Sequence, residues 1–446
     1  MEEQKNMRPM NRNKMLRNNI MFSGLLKGIS LSASFLIVPL TLHYLDNEPY
    51  GIWMTISSMA FWIFTFDIGL GNGMRNYLTA AISQNDSKAA QKYISTTFLL
   101  LTIIAAVIGV VAIPLIMLLD FNQILNTVAL NNQQLQMVII MALILTLINF
   151  VVKNIGFIYI ALQKYAINDL LTVGGSVMAL ALIYLLTKTT EGNLFYVVFT
   201  FMAMPVIVFM LGGIPLFIKY PHLKPSTKYI DINFSKNVVS KGLGFFIIQI
   251  TSCLVIFGGS NLFISHFQGP EAVTTYNIAY KLFNLLIIVY TIIIAPMWNA
   301  YTDAYVKEDW TWIRRNFNRA LLIWGLTIFA GIVMLLICNP FYEIWVGPTV
   351  TVPLSVSAAT FLYVVFFNLN NCVTYLLNGL NTIRVQIYTS VIGTVIYLTA
   401  ISIYGRRWGI EGIVLSMAVT YAGMSLIHLF QCKLIIHQKA KGIWKK

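Results

Sequence analysis

The chain has 446 residues, of which 58% are hydrophobic and only 10% charged, and its mean hydropathy is +0.74. Soluble globular domains run near half apolar and a quarter charged, and disordered chains are less apolar still, so both classes are excluded. The net charge of +14 is then a matter of where Lys and Arg lie relative to a membrane, and it calls for no nucleic-acid partner.

Twelve apolar runs follow along the chain: 20–44, 51–74, 95–118, 135–162, 167–187, 194–218, 240–264, 273–302, 319–338, 355–379, 384–404 and 409–435. Each carries Leu, Ile, Val, Phe and Met on all sides, as spanning helices do. The first run is too long for the core of a secretion signal and no A-x-A site follows it, so it is expected to remain as a span. Twelve spans of about 20 residues use roughly 240 residues, which leaves no room for an extramembrane domain of ordinary size.

With the N-terminus in the cytoplasm, only Lys188, Arg406 and Arg407 fall outside. Lys27, Lys153 and Lys281 fall inside spans, and every other Lys and Arg faces the cytoplasm. The positive-inside rule therefore predicts that both termini are cytoplasmic. The expected domains are a basic tail (1–19), a six-helix bundle (20–218), a basic linker with Pro221 and Pro225 (219–239), a second bundle (240–436) and a basic tail (437–446). A shift of 223 residues lays His43 on His266, Glu48 on Glu271, Asp86 on Asp309 and Lys92 on Arg315. The predicted fold is all-α and polytopic, with about 12 transmembrane helices in two six-helix bundles related by a parallel pseudo-two-fold repeat, a transporter plan.

A lysine in hydrocarbon costs at least about 2.5 kcal/mol on insertion scales, so each intramembrane lysine is a functional candidate. Each sits on a polar helical face. Ser23, Lys27, Ser30 and Ser34 share one; Thr146, Asn149, Lys153 and Gly156 another; Thr274, Asn277, Lys281, Asn284 and Thr291 a third. Asn368, Asn371, Tyr375 and Asn378 form an uncharged stripe, and Gln249 with Ser252 a shorter one. A shared wet cavity explains these faces. Snorkelling to the interface is the alternative for Lys27 in particular, and helix–helix packing for the amides. Asp67 is the one deep carboxylate; it either pairs with Lys27, Lys153 or Arg75, or serves as a proton or sodium site. Lysines in the inner half of a cavity suit a phosphate, which a point charge can hold without fixed geometry. A cationic cargo would be repelled.

Residues 66–76 read Phe66-Asp67-Ile68-Gly69-Leu70-Gly71-Asn72-Gly73-Met74-Arg75-Asn76, after Pro39-Leu40 and Tyr50-Gly51-Ile52-Trp53 upstream. This stretch resembles the polysaccharide flippases of the multidrug/oligosaccharidyl-lipid/polysaccharide (MOP) exporter superfamily, which includes O-antigen exporters. The resemblance implies a MATE-like fold and alternating access. It implies transfer of an undecaprenyl-diphosphate-linked oligosaccharide from the inner to the outer leaflet of a bacterial plasma membrane. It implies that Lys27, Arg75, Lys153 and Lys281 take the diphosphate, and that membrane lipids and polysaccharide polymerase and ligase machinery are partners. No cofactor is expected beyond H+ or Na+ coupling, for which Asp67 is the one buried acid. The three glycines follow no strand, so a nucleotide loop is rejected; close packing or local unwinding is expected of them.

Gln249, Trp298, Asn299, Asn371, Tyr375 and Asn378 are candidates for a sugar path, while Trp53, Trp298, Trp345 and Trp408 near span ends also read as interface anchors. Cys253, Cys338, Cys372 and Cys432 have no metal or redox spacing and read as small buried hydrophobes. His43 and His266 lack a second metal ligand. Two other functions compete. A drug or cation exporter of the same fold would place acids rather than lysines in its cavity. A membrane glycosyltransferase or polysaccharide polymerase would hold carboxylates in a sizeable outer loop, whereas Asp46, Glu48 and Glu271 sit in short turns.

Overall fold

A computed structural model describes residues 12–67, 70–231 and 259–445. In chain order its helices are α1 (Arg12–Leu45), α2 (Asn47–Ile63), α3 (Leu70–Ser83), α4 (Ser87–Leu118), α5 (Phe121–Leu125), α6 (Asn132–Val152), α7 (Asn154–Ala161), α8 (Tyr165–Thr189) and α9 (Leu194–Lys219). Then come α10 (Ser260–Gln268), α11 (Pro270–Ile294), α12 (Met297–Val306), α13 (Trp310–Val346), α14 (Leu354–Gly379) and α15 (Arg384–Ile436). No strand occurs among the described residues.

Among the described residues, nine helices are long and apolar enough to cross a membrane. The chain is a multi-pass membrane protein, and several of the twelve apolar runs do not correspond to one helix each. The run 51–74 is not one helix: α2 passes into a 3-10 turn (Phe64–Asp67) before α3 begins at Leu70. The run 240–264 lies outside the described residues up to 258, and α10 holds its end. The last two runs form one assigned helix of 53 residues, about 80 Å long and far more than a core of roughly 30 Å. Gly409 divides it, with φ 61 and ψ −135, a conformation that residues with a Cβ scarcely enter. Twelve spans in two repeats are consistent with this layout.

The repeat is written in the backbone. Left-handed residues stand at Asp46 and Gly269 and at Asn85 and Glu308, both pairs 223 positions apart. Asn126 pairs with Gly347 at 221, and Gln163 with Asn381 at 218. The next residues repeat as well. Asp86 caps α4, its Oδ1 accepting the Ala89 N–H at 2.9 Å, and Asp309 caps α13 by accepting from Trp312 at 2.9 Å. The second span of each half breaks before its C-terminal end, at the glycine string in the first and at Ala295-Pro296 in the second. Proline replaces glycine as the breaker, so the break recurs without the string.

The chain forms two compact units. The first comprises Met1–Asp46, Phe66–Leu119 and Gln133–Leu243; the second comprises Asn47–Thr65, Asp120–Asn132 and Gly244–Lys446. In the first, Met74, Leu78, Ile94, Ile158 and Tyr159 form a core of fully buried or nearly buried side chains. The start of the basic linker is strapped to α4. Lys92 pairs with Asp231, the Ser226 N–H donates to Ser95 Oγ at 2.9 Å, and the Asp231 N–H donates to Thr96 Oγ1 at 2.9 Å. In the second unit Tyr290, Tyr301, Ile313, Phe317 and Leu376 form the core with Cys372 and Cys432. Cys338, Cys372 and Cys432 are buried free thiols, and Cys253 lies outside the described residues. Glu48 accepts from the Thr127 hydroxyl, and His266 bonds the Ile124 carbonyl at 3.1 Å, so both turn residues have structural partners.

Gly409→Ala should lower the thermal unfolding midpoint of the purified protein, at a cost of about 1–3 kcal/mol. An unchanged midpoint would show that the division of α15 does not depend on glycine.

Candidate functional site

In the first unit, Asp67 ends the 3-10 turn and its Oδ1 accepts the Gly71 N–H at 3.1 Å. It thus supplies an anion to the free N–H groups at the start of α3. Lys153 stands at the break between α6 and α7. The Gly156 N–H donates to the Lys153 carbonyl at 2.9 Å, a tightened turn in place of the regular ladder. The break frees carbonyls, and Asn154 satisfies them: its Nδ2 donates to Phe150 O at 2.9 Å and to Val151 O at 3.2 Å. Asn154 is fully buried, and its Oδ1 has no hydrogen-bond partner.

The two breaks meet. A Cβ on Gly71 would lie 2.5 Å from the Phe157 ring and 2.7 Å from Asn154 Oδ1, so only glycine admits this approach of α3 to α7. Of the residues of the string that the structure describes, Gly71 is the one whose close packing it explains; Gly69 lies outside the described residues. Lys153 is half-buried, with its Nζ 5.8 Å from the Phe150 ring centroid, and its charge interacts with that of Asp67. Asp67 and Lys153 thus stand within electrostatic reach of each other, near the two breaks. Lys27 is exposed on α1, and half-buried Arg75 directs its guanidinium to Asn76 Oδ1 at 3.3 Å.

In the second unit, half-buried Lys281 lies on α11, one turn beyond Asn277. Trp298 on α12 meets Tyr375 on α14 edge to face, with centroids 5.9 Å apart. Asn378 Oδ1 accepts from buried Gln386 at 3.1 Å, and Asn371 is half-buried on α14. Gln249 lies outside the described residues, as does the side chain of Asn299.

Two polar features escaped the sequence reading. His428 is buried, with Nε2 2.8 Å from Thr389 Oγ1 and Nδ1 3.1 Å from Asn370 Oδ1. A cavity of about 220 Å³ lies among α2, α10 and α11, lined by Ser57, Ser58, Asn261 and Asn277 among others. Only Asn277, in the stripe with Lys281, signalled it.

Residues 16–298 match the family model described as polysaccharide biosynthesis protein. The chain belongs to that family. Within it, a relative from Salmonella typhimurium named "Putative O-antigen transporter" is 22% identical over 91% of this chain and 94% of its own length. A Yersinia pseudotuberculosis relative named "Putative O-antigen export protein" is 22% identical over 63% of each chain. Among solved structures, an inward-facing multidrug-resistance MATE family transporter of the MOP superfamily superposes with a TM-score of 0.73 at 15% identity, over 94% of both chains. The fold is thus that of the MOP transporters.

Removing one charge of the Asp67–Lys153 pair leaves the other uncompensated at membrane depth. Asp67→Asn and Lys153→Gln should each lower the unfolding midpoint, while the double variant should recover part of the loss. A coupling of about 1–2 kcal/mol in a double-mutant cycle is expected, the partial exposure of both groups keeping it below that of a fully buried pair. Strict additivity would mean that the two charges do not act together.

Proposed function

We propose that this member of the polysaccharide biosynthesis family is a flippase. It moves an undecaprenyl-diphosphate-linked oligosaccharide from the cytoplasmic to the outer leaflet of a bacterial plasma membrane by alternating access, as a transporter rather than an enzyme. The observation that carries the reading is Lys153, a lysine at a helix break within a spanning region and within electrostatic reach of the Asp67 carboxylate. A bare lysine there would be costly. Asp67 neutralises it in the empty protein, and a diphosphate displaces Asp67 when cargo arrives. Lysine suits that exchange because its three donors rotate freely around a compact charge.

The charge sign separates this reading from drug export by the same fold. A cationic drug meets Lys27, Lys153 and Lys281 in spans against Asp67 alone, and the net field repels it. The same field draws an anionic head group from the cytoplasm, where the basic loops are placed by the positive-inside rule. Lys27 and Lys281 add positive potential, and Arg75 lies two turns beyond Asp67 on the inner side. Any coupling proton or sodium enters at Asp67, in competition with Lys153. Polymerase and ligase machinery takes the product on the outer face.

Cells lacking the protein should lose surface polysaccharide, with the lipid-linked intermediate trapped on the cytoplasmic face. An intermediate that reaches the outer leaflet unpolymerised would instead indicate an enzyme. Normal polysaccharide with heightened sensitivity to cationic dyes would indicate drug export. Lys27→Ala and the Asp67→Asn/Lys153→Gln double variant should each cut surface polysaccharide about tenfold at unchanged protein level in the membrane. Wild-type export from both would remove the lysines from the binding role. For orientation, a Glu191→Cys variant should react with an impermeant maleimide added outside, and Glu308→Cys only after permeabilisation.

A further inference from the structure

We infer that the cavity among α2, α10 and α11 of the second unit is a pocket for one sugar ring of the cargo. The inference rests on the proposed lipid-linked cargo and adds the place where its glycan is recognised. None of Trp298, Asn371, Tyr375 and Asn378, the sugar-path residues expected from sequence, lines this cavity.

Polar side chains in a spanning region need partners, because lipid offers none. Here the amides hold one another in fixed positions. Asn277 Nδ2 donates to Asn261 Oδ1 at 3.0 Å and to Val273 O at 2.8 Å. Asn261 Nδ2 donates to Met54 O at 3.2 Å. Both N–H groups of Asn277 are therefore committed, and its carbonyl remains an acceptor. Ser58 gives its proton to Thr55 O at 2.8 Å, so its oxygen too is left to accept. With the Ser57 hydroxyl and the tyrosine phenols also on the lining, the pocket offers acceptors and donors together, and sugar hydroxyls serve as both.

Aromatic surface completes the match. Tyr276 and Tyr280 stack with centroids 5.7 Å apart and planes at 26°, and both line the cavity. An aromatic face suits the C–H face of a pyranose, while the acceptors suit its rim. Drug-sized sites occupy about 300–1,000 Å³; about 220 Å³ admits one ring rather than a chain. Lys281 follows Asn277 by one helical turn, on the same face of α11. A cation suited to phosphate therefore stands one turn from the pocket, as a sugar joined to a diphosphate requires. A purely hydrated cavity would hold on the order of seven waters at ~30 Å³ each, and the test separates that case.

A photo-reactive diazirine residue would replace Ser57 in one variant and Phe157, four residues after Lys153 and packed at Gly71, in another. Both would be reconstituted with lipid-linked oligosaccharide labelled in its sugar, or with undecaprenyl diphosphate carrying no sugar. The expected result is cross-linking at position 57 to the sugar-bearing lipid only, through its glycan. Cross-linking at 57 to the sugar-free lipid overturns the assignment to a sugar. Cross-linking at 157 but not at 57 leaves the cargo reading standing and overturns the pocket, as hydration alone would. No cross-link at either position removes the cargo reading and the pocket with it. In cells, Ser57→Phe, which fills the cavity without breaking the Asn261–Asn277 bond, should reduce export at least tenfold, and Asn277→Leu about fivefold. Wild-type export from Ser57→Phe overturns the pocket.

Discussion

Hydrocarbon contains no water to satisfy a peptide group, and that constraint shapes this molecule more than any single contact. Each unpaired backbone N–H or C=O at membrane depth costs several kcal/mol. A spanning helix therefore breaks only where something nearby repairs the ladder. At the 3-10 turn the repair is the Asp67 carboxylate on the Gly71 N–H. At Lys153 it is the Asn154 amide on the carbonyls of Phe150 and Val151. Both repairs use polar side chains: Asp67 mends the backbone and carries a charge, and Asn154 mends it next to Lys153. Gly71 lets the two mended breaks touch, and a methyl group there would separate them.

Much of this was legible in the sequence because the lipid solvent leaves so few options. Long apolar runs can only be helices, and the charge between them orients them. The glycine string marked the first break, since three glycines in seven residues rarely persist in a regular span. The break at Lys153 carried no comparable mark: Val151-Val152-Lys153-Asn154 contains neither glycine nor proline. Whether such a helix continues depends on what packs against it, here α3 at Gly71. The cavity was hidden for a related reason. Ser57 and Ser58 come from α2, and Ser260, Asn261 and Asn277 from α10 and α11, some two hundred positions away. Only Asn277 and Lys281 share a helix face that periodicity reveals. His428 was missed because a lone histidine in an apolar run has no pattern; its meaning comes from Thr389 and Asn370.

Fold and cargo are separable in this superfamily. The backbone superposes on a multidrug transporter at 15% identity, and at that distance likeness speaks for architecture only. The cargo must be argued from side chains. Here the first unit carries a lysine–carboxylate pair, and the second a lysine beside an uncharged pocket of amides, hydroxyls and tyrosines. Such a pairing of charge with hydroxyl-complementary surface has little use for an apolar cation. On the proposed reading, it would serve a molecule that is anionic at one end and sugar-like at the other.

The matched left-handed residues also measure how the halves have drifted in length. From Asn126 to Gln163 is 37 positions, while from Gly347 to Asn381 is 34. The first half thus carries three more residues over its fourth span, close to one helical turn of 3.6. A continuous helix that gained a turn would push its following loop outward by about 5 Å. An interrupted helix can take up extra residues by bending, where a continuous one can only lengthen. The interruption falls at Lys153, and the corresponding helix of the second half, α14, runs unbroken. The extra residues and the break at Lys153 thus fall in the same span, which leaves the two fourth spans unlike in backbone as well as in charge.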